Sequence, residues 1–126
     1  MNNLLFIYGT LLDEDNEFAI YLKNNSTFYS EGRLRGKLYD IGEYPGAVLS
    51  ESDDDYIYGT ILQLDDAAKV LPVIDDYEGF GEGQQKPYLF VRVLTEAYTE
   101  DSKVSCWVYE YHLSVDGLSI IRSGRY

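Results

Sequence analysis

A chain of 126 residues with 45% apolar content is long enough for one domain with a buried core and too short for two. That composition is globular and excludes a disordered chain. Twenty-two acidic residues against 10 basic ones leave a net charge of −12, which opposes attraction to a phosphate backbone and argues against a nucleic-acid partner. The single Cys106 cannot form an internal disulfide, and Met1-Asn2-Asn3 opens onto an apolar strand-like run with neither a basic leader nor a signal-like apolar region. A cytoplasmic protein with no membrane partner is therefore expected, since no apolar run approaches the roughly 20 residues of a membrane helix. Thirteen tyrosines stand against one tryptophan, a usage that suits half-buried strands whose phenol ends reach a polar partner.

In chain order, strand-forming residues cluster at Leu4–Tyr8, Thr27–Leu38, Ala47–Glu51, Ile57–Leu64, Tyr88–Thr95 and Val104–His112. Each cluster is bounded by Gly, Pro or charged residues, as strands are. Asp13 to Leu22 reads as a helix, and so does Asp65 to Tyr77, which starts at the capping candidates Asp65-Asp66. Pro72 falls inside the second segment and predicts a division into two short helical turns. The helices do not alternate with strands, so the expected class is α+β, with a mainly antiparallel sheet or a barrel. Asp53-Asp54-Asp55 reads as a solvated acidic turn, because adjacent side chains on an extended chain point to opposite faces and make a poor metal cage.

Few residues can carry chemistry. Cys106 and His112 share a strand face but would lie about 20 Å apart at roughly 3.3 Å per residue, which excludes direct contact on one straight strand. No G-x-S-x-G elbow or phosphate loop is present. Two places stand out. The apolar run Leu4 to Ile7 ends in Tyr8-Gly9-Thr10-Leu11, where glycine permits close approach to the backbone. Further on, "VIDDYEGFGEGQQKPY" sets Asp75, Asp76, Glu78 and Glu82 near a helix end that breaks at Gly79. A carboxylate turned inward there would have acidic neighbours and the apolar Ile74, Tyr77 and Phe80 beside it, and both influences raise a carboxyl pKa toward neutrality. A Glu so tuned can take and return protons near pH 7.

Taken with the segments between them, these two places resemble the γ-glutamylcyclotransferase-like, or AIG2-like, family. "GKLYDIGEYPGAV" (Gly36 to Val48) is similar to the family's G-x-L-Y-D-x-G-x-Y-P-G segment, and "IYGTILQL" (Ile57 to Leu64) to its V-x-G-x-L-Y-x-V strand. "CWVYEY" (Cys106 to Tyr111) is similar to its W-V-Y-x-Y strand, and "IIRSGRY" (Ile120 to Tyr126) to its closing segment. The matches run through essentially the whole chain in the family's order, which implies a single γ-glutamylcyclotransferase-like domain over residues 1–126. The resemblance implies a small β-barrel with short flanking helices, and an enzyme that cyclises a γ-glutamyl amine or γ-glutamyl amino acid to 5-oxoproline without metal or cofactor. It assigns Glu78 as catalytic acid/base, and Tyr8, Gly9, Thr10, Leu11 and Tyr88 as substrate-binding residues. A small-molecule binding domain on the same fold, or an amide hydrolase or acyltransferase using the same Glu, are the alternatives. One departure concerns the family's Tyr-x-Arg: Tyr88 is followed by Leu89-Phe90, and the nearest arginine is Arg92, on the same strand face about 7 Å further on. The loops Gly42–Gly46 and Phe80–Pro87 are expected to read the amine side of the substrate, whose identity, like the oligomeric state, the residues leave open.

Overall fold

A computed structural model describes residues 2–8, 17–42, 44–52, 54–81, 83–84 and 86–126. Its strands are β1 (Leu4–Ile7), β2 (Ser26–Asp40), β3 (Pro45–Leu49), β4 (Tyr56–Leu64), β5 (Phe90–Tyr98), β6 (Lys103–Tyr111) and β7 (Ser119–Ile120), with helices α1 (Glu17–Asn24) and α2 (Ala67–Glu78). Five strands close into a barrel in the order β2, β4, β1, β6, β5, and the pair Arg33–Tyr98 joins β5 back to β2. The β1–β6 pairing, at Leu5 and Trp107, is parallel; the other pairings are antiparallel. The far end of β2 extends past the barrel to pair with β3 and with β7.

Strand β1 explains its own apolar run. Phe6 points into the barrel among Leu34, Ile57, Ile61, Cys106 and Val108, while Leu5 and Ile7 point outward against Leu22 of α1 and Val70, Leu71 and Ile74 of α2. A strand covered on both faces has no polar side to show, which is why its residues do not alternate. Full burial of each such side chain is worth about 1.5–3 kcal/mol, so β1 anchors both cores. At Gly59 the chain passes so close to β1 that an added Cβ would lie 2.3 Å from the Ile7 carbonyl oxygen and 2.8 Å from the Phe6 ring.

The expected α+β barrel is present. Strands begin or end within a few residues of their sequence-derived limits, and the two-residue β7 has too little pattern to announce itself. Three details differ. Helix α1 begins by Glu17 and continues to Asn24, while 13–16 lie outside the described residues. Helix α2 is continuous through Pro72 instead of divided. Pro72 lies on its exposed side, where the carbonyl freed by the missing N–H can be solvated, while Ala67, Val70, Leu71 and Ile74 hold both halves to the core. Tyr88 precedes β5 and is not part of it.

Candidate functional site

A pocket of about 300 Å3 opens where several elements end together. Phe6, Ile7 and Tyr8 line it from the end of β1, Tyr44 and Pro45 from the start of β3, and Tyr77 and Glu78 from the last turn of α2. Leu89, Phe90 and Tyr109 complete its described wall from β5 and β6. That volume lies at the lower end of small-molecule sites, and the mixture of apolar walls with few polar groups is typical of them.

Glu78 is the last residue of α2. Gly79, at φ 74°, takes the left-handed conformation that ends the helix, with its N–H bonded to the Asp76 carbonyl and the Phe80 N–H to the Asp75 carbonyl. Glycine at this position lets the chain leave abruptly, so the Glu78 side chain stays against the pocket wall. Burial pushes its carboxyl up from 4.5 to about 7. The expected help from acidic neighbours does not contribute. Asp75 is neutralised by Arg92, Asp76 accepts from the Gln84 amide at 2.7 Å, and burial alone drives the shift.

Tyr8 stands opposite this carboxyl. Its hydroxyl donates to the Tyr109 carbonyl and accepts the Ala47 N–H at 3.2 Å, tying β1 to β6 and β3. Burial first, and then the charges of Glu78 and Glu110, raise the phenol above its ordinary value against the lowering effect of the Ala47 bond, so it stays protonated. Tyr109 is raised likewise by burial and by its bond to Asp75. That bond belongs to a small network. Asp75 takes Arg92 Nε at 2.8 Å and Nη2 at 3.1 Å on its two oxygens, and the Tyr109 hydroxyl at 2.7 Å. Arg92 also lies over the Trp107 ring at 4.4 Å. Helix α2 is thereby clamped to β5 and β6 one turn before Glu78, with the strong geometry of a bidentate arginine–carboxylate pair.

The two places singled out in the sequence, the end of β1 and the end of α2, therefore meet: Tyr8 and Glu78 share one pocket. Gly9, Thr10 and Leu11 lie outside the described residues, as does Glu82. Tyr88 is turned from the described wall, its hydroxyl donating to the Gly81 carbonyl at 3.0 Å and its ring 5.4 Å from Phe80. Arg92 faces the helix side, as its strand parity requires, and is engaged by Asp75. Cys106 is fully buried inside the barrel, where burial lifts its thiol to about 12, while His112 is exposed just beyond β6. Of the loops expected to read the amine, Gly42–Gly46 contributes Tyr44 and Pro45. Tyr109, Phe90 and the Ala47 N–H had not been singled out. "CWVYEY" places Tyr109 in a strand, but nothing local marks it as a wall of the site.

Comparison with known proteins agrees with this architecture. The model of the family described as gamma-glutamyl cyclotransferase, AIG2-like, matches residues 5–126. YkqA of Bacillus subtilis is 31% identical over 91 residues, covering 72% of this chain, although the match spans only 31% of YkqA. The gamma-glutamylcyclotransferase family protein YtfP of Escherichia coli is 27% identical over 127 residues, covering 95% of this chain and 92% of YtfP. The solution structure of E. coli YtfP superposes with a TM-score of 0.69 at 26% identity, over 98% of this chain and 95% of that one. An AIG2-like protein from Mus musculus has the same fold, with a TM-score of 0.66 at 20% identity over 98% of this chain and 94% of that one. The barrel, the strand-end pocket and the colinear motifs make this chain a member of the gamma-glutamyl cyclotransferase, AIG2-like family.

Proposed function

We propose that the protein is a cofactor-independent γ-glutamylcyclotransferase: it converts a small γ-glutamyl compound to 5-oxoproline and a free amine, with Glu78 as the proton carrier. The observation that supports this reading is the Glu78 carboxyl, the one carboxyl among the described residues that line the pocket, raised to about 7 by burial beside the end of β1. The substrate's α-amino group has a pKa of about 8, so at neutral pH a base must remove a proton before the nitrogen can attack. Glu78 takes that proton. The nitrogen lone pair then adds to the γ-carbonyl carbon, and Glu78 returns its proton to the leaving nitrogen as the bond from that carbon to it breaks; the second proton that the ring nitrogen sheds to become the lactam N–H is taken by the freed amine, which departs as its ammonium.

Because the nucleophile is part of the substrate, the pocket has chiefly to fold the glutamyl chain into ring-closing geometry, an advantage that intramolecular reactions place at several kcal/mol. Main-chain N–H groups of Gly9, Thr10 and Leu11 receive the substrate's α-carboxylate or the oxyanion, an interaction worth roughly 3 to 4 kcal/mol in the second case. The hydroxyl of Tyr8, already bonded on both sides, ties the end of β1 to β3 and β6. An unpaired thiol inside the barrel accords with a reducing compartment, and we read the enzyme as cytoplasmic.

The test is to incubate the protein and its Glu78→Gln variant with γ-glutamyl amino acids, γ-glutamyl-ε-lysine and glutathione, and to quantify 5-oxoproline by mass spectrometry. Product from the wild type alone supports the proposal. Free glutamate in place of 5-oxoproline means hydrolysis, and binding without either product means a non-catalytic ligand site.

A further inference from the structure

Arg92 has no part in the reaction as proposed, yet it is built into the end of α2 that carries Glu78. In the β5–β6 register it stands across from Tyr109, so the two side chains leave the same face of the sheet. There they close on one carboxylate: Asp75 receives Arg92 Nε at 2.8 Å and Nη2 at 3.1 Å, and the Tyr109 hydroxyl at 2.7 Å. The guanidinium also lies against the Trp107 ring, 4.4 Å from its centre, and the Arg92 and Asp75 side chains are only 17% and 15% exposed.

Asp75 precedes Glu78 by three residues on one helix, a spacing that sets side chains beside each other at about 5–6 Å. Both bear on Tyr109: burial, the bond to Asp75 and the charges of Asp75 and Glu78 raise its phenol, and Arg92 lowers it. An unpaired carboxylate at that distance pushes a neighbouring carboxyl up by roughly 0.5 pH unit at the dielectric of water, and by about 2 at that of a protein surface. Glu78 receives no such push, since burial alone accounts for its rise to about 7. Among the described residues the other ionisable groups near this end of α2 are accounted for. Asp76 is exposed and accepts from Gln84, Glu17 of α1 is exposed, and Glu110 of β6 accepts the Leu49 N–H at 2.8 Å. Tyr8, Tyr44 and Tyr77 bring phenols to the pocket wall, and Lys86 lies over Tyr88. Resting on the cyclotransferase reading, we infer that Arg92 is a positioning residue for Glu78: it cancels the Asp75 charge one turn away and fixes the last turn of α2 against β5 and β6. Without it the Asp75 carboxylate would hold the Glu78 proton in place and slow its removal from the cycle.

Four proteins test this: the wild type, Arg92→Gln, Asp75→Asn and the double variant. Each amide can still hydrogen-bond to its partner, and every other charge is the same in all four, so the comparison isolates the pair. With 13C-labelled glutamate, the Glu78 carboxyl is titrated by NMR, its resonance identified by its loss in Glu78→Gln. Arg92→Gln strands the Asp75 charge and is expected to move the Glu78 midpoint up by at least about 0.5 pH unit. Asp75→Asn strands the Arg92 charge and is expected to move it down by as much, and the double variant to return within ~0.3 of wild type. A clamp that only held the helix would, once broken, loosen the pocket in both single variants and move both midpoints the same way, toward an ordinary glutamate. That pattern, or any other than the one expected, overturns the inference. Where one single variant fails to fold, the other and the double variant decide by the same limits. With a wild type that forms 5-oxoproline, the acid limb of kcat/KM against pH is expected to move with the midpoints, and an unmoved limb overturns the inference. A wild type that forms none brings down the cyclotransferase reading, while the NMR midpoints still decide the role of Arg92.

Discussion

Replacing Glu78 by Gln should remove activity and, at alkaline pH, make the protein more stable. The Glu78 carboxyl titrates at about 7 in the folded protein against 4.5 for an ordinary glutamate. A raised carboxyl pKa means the folded state holds the proton more tightly than the unfolded state, so stability is full below 4.5 and falls as the pH rises through 7. The displacement of about 2.5 pH units, at 1.36 kcal/mol per unit, bounds the loss at about 3 kcal/mol; residual solvent access trims it to about 2. Glutamine keeps the shape of the protonated side chain and never ionises. Urea unfolding at pH 4, 6 and 8 should therefore show the two proteins nearly equal at pH 4, with the variant ahead by about 2 kcal/mol at pH 8. A difference that stays flat with pH, or a variant that is weaker at pH 8, would refute the reasoning that burial holds an uncompensated carboxyl in the pocket.

The clamp at the helix end predicts coupling. Asp75→Asn leaves the largely buried Arg92 guanidinium without its counter-charge and should cost about 2 kcal/mol in urea unfolding. A double cycle with Arg92→Met should return an interaction energy above ~1 kcal/mol, and strict additivity would sink the clamp. Gly59→Ala should cost more than about 2 kcal/mol or prevent folding, because the new methyl would sit 2.3 Å from the Ile7 carbonyl; unchanged urea midpoints would contradict that close approach. The thiol of Cys106, raised to about 12 and shut inside the barrel, should react with a disulfide reagent at pH 8 at least ~100-fold more slowly than in denaturant. Fast labelling of the folded protein would mean that the barrel opens.

How far the fold could be read from the residues depended on whether the information was local. Strands announced themselves through Val, Ile, Tyr and Thr between Gly and Pro, and the motif order carried the barrel. Glu78 was visible because a helix end, a glycine and apolar neighbours fall within a few positions of it, and Tyr8 because an apolar strand stops there. What stayed hidden depends on the third dimension. The pairing of Asp75 with Arg92 joins a helix to a strand 17 residues away. Tyr109 and Phe90 look in sequence like any half-buried strand aromatic. Their place on the pocket wall follows only from which strand ends meet. Pro72 misled for a related reason: its cost in a helix is set by whether the freed carbonyl faces water, and here it does.

The position of β1 between β4 and β6 has a consequence for how the chain is made. Leu5 pairs with Leu62 on one side and with Trp107 on the other. A ribosome that has delivered the first strand must therefore synthesise about a hundred further residues before both of its neighbours exist. Until then Leu4, Leu5, Phe6 and Ile7 form an apolar segment with two open edges, the kind of surface that chaperones recognise and that pairs with the wrong strand when left alone. The strand that seats Tyr8 in the pocket is made before both of its neighbours and cannot complete its sheet until β6 arrives. Slowing elongation between β4 and β6 should accordingly lower the yield of folded protein, by lengthening the time that this strand waits.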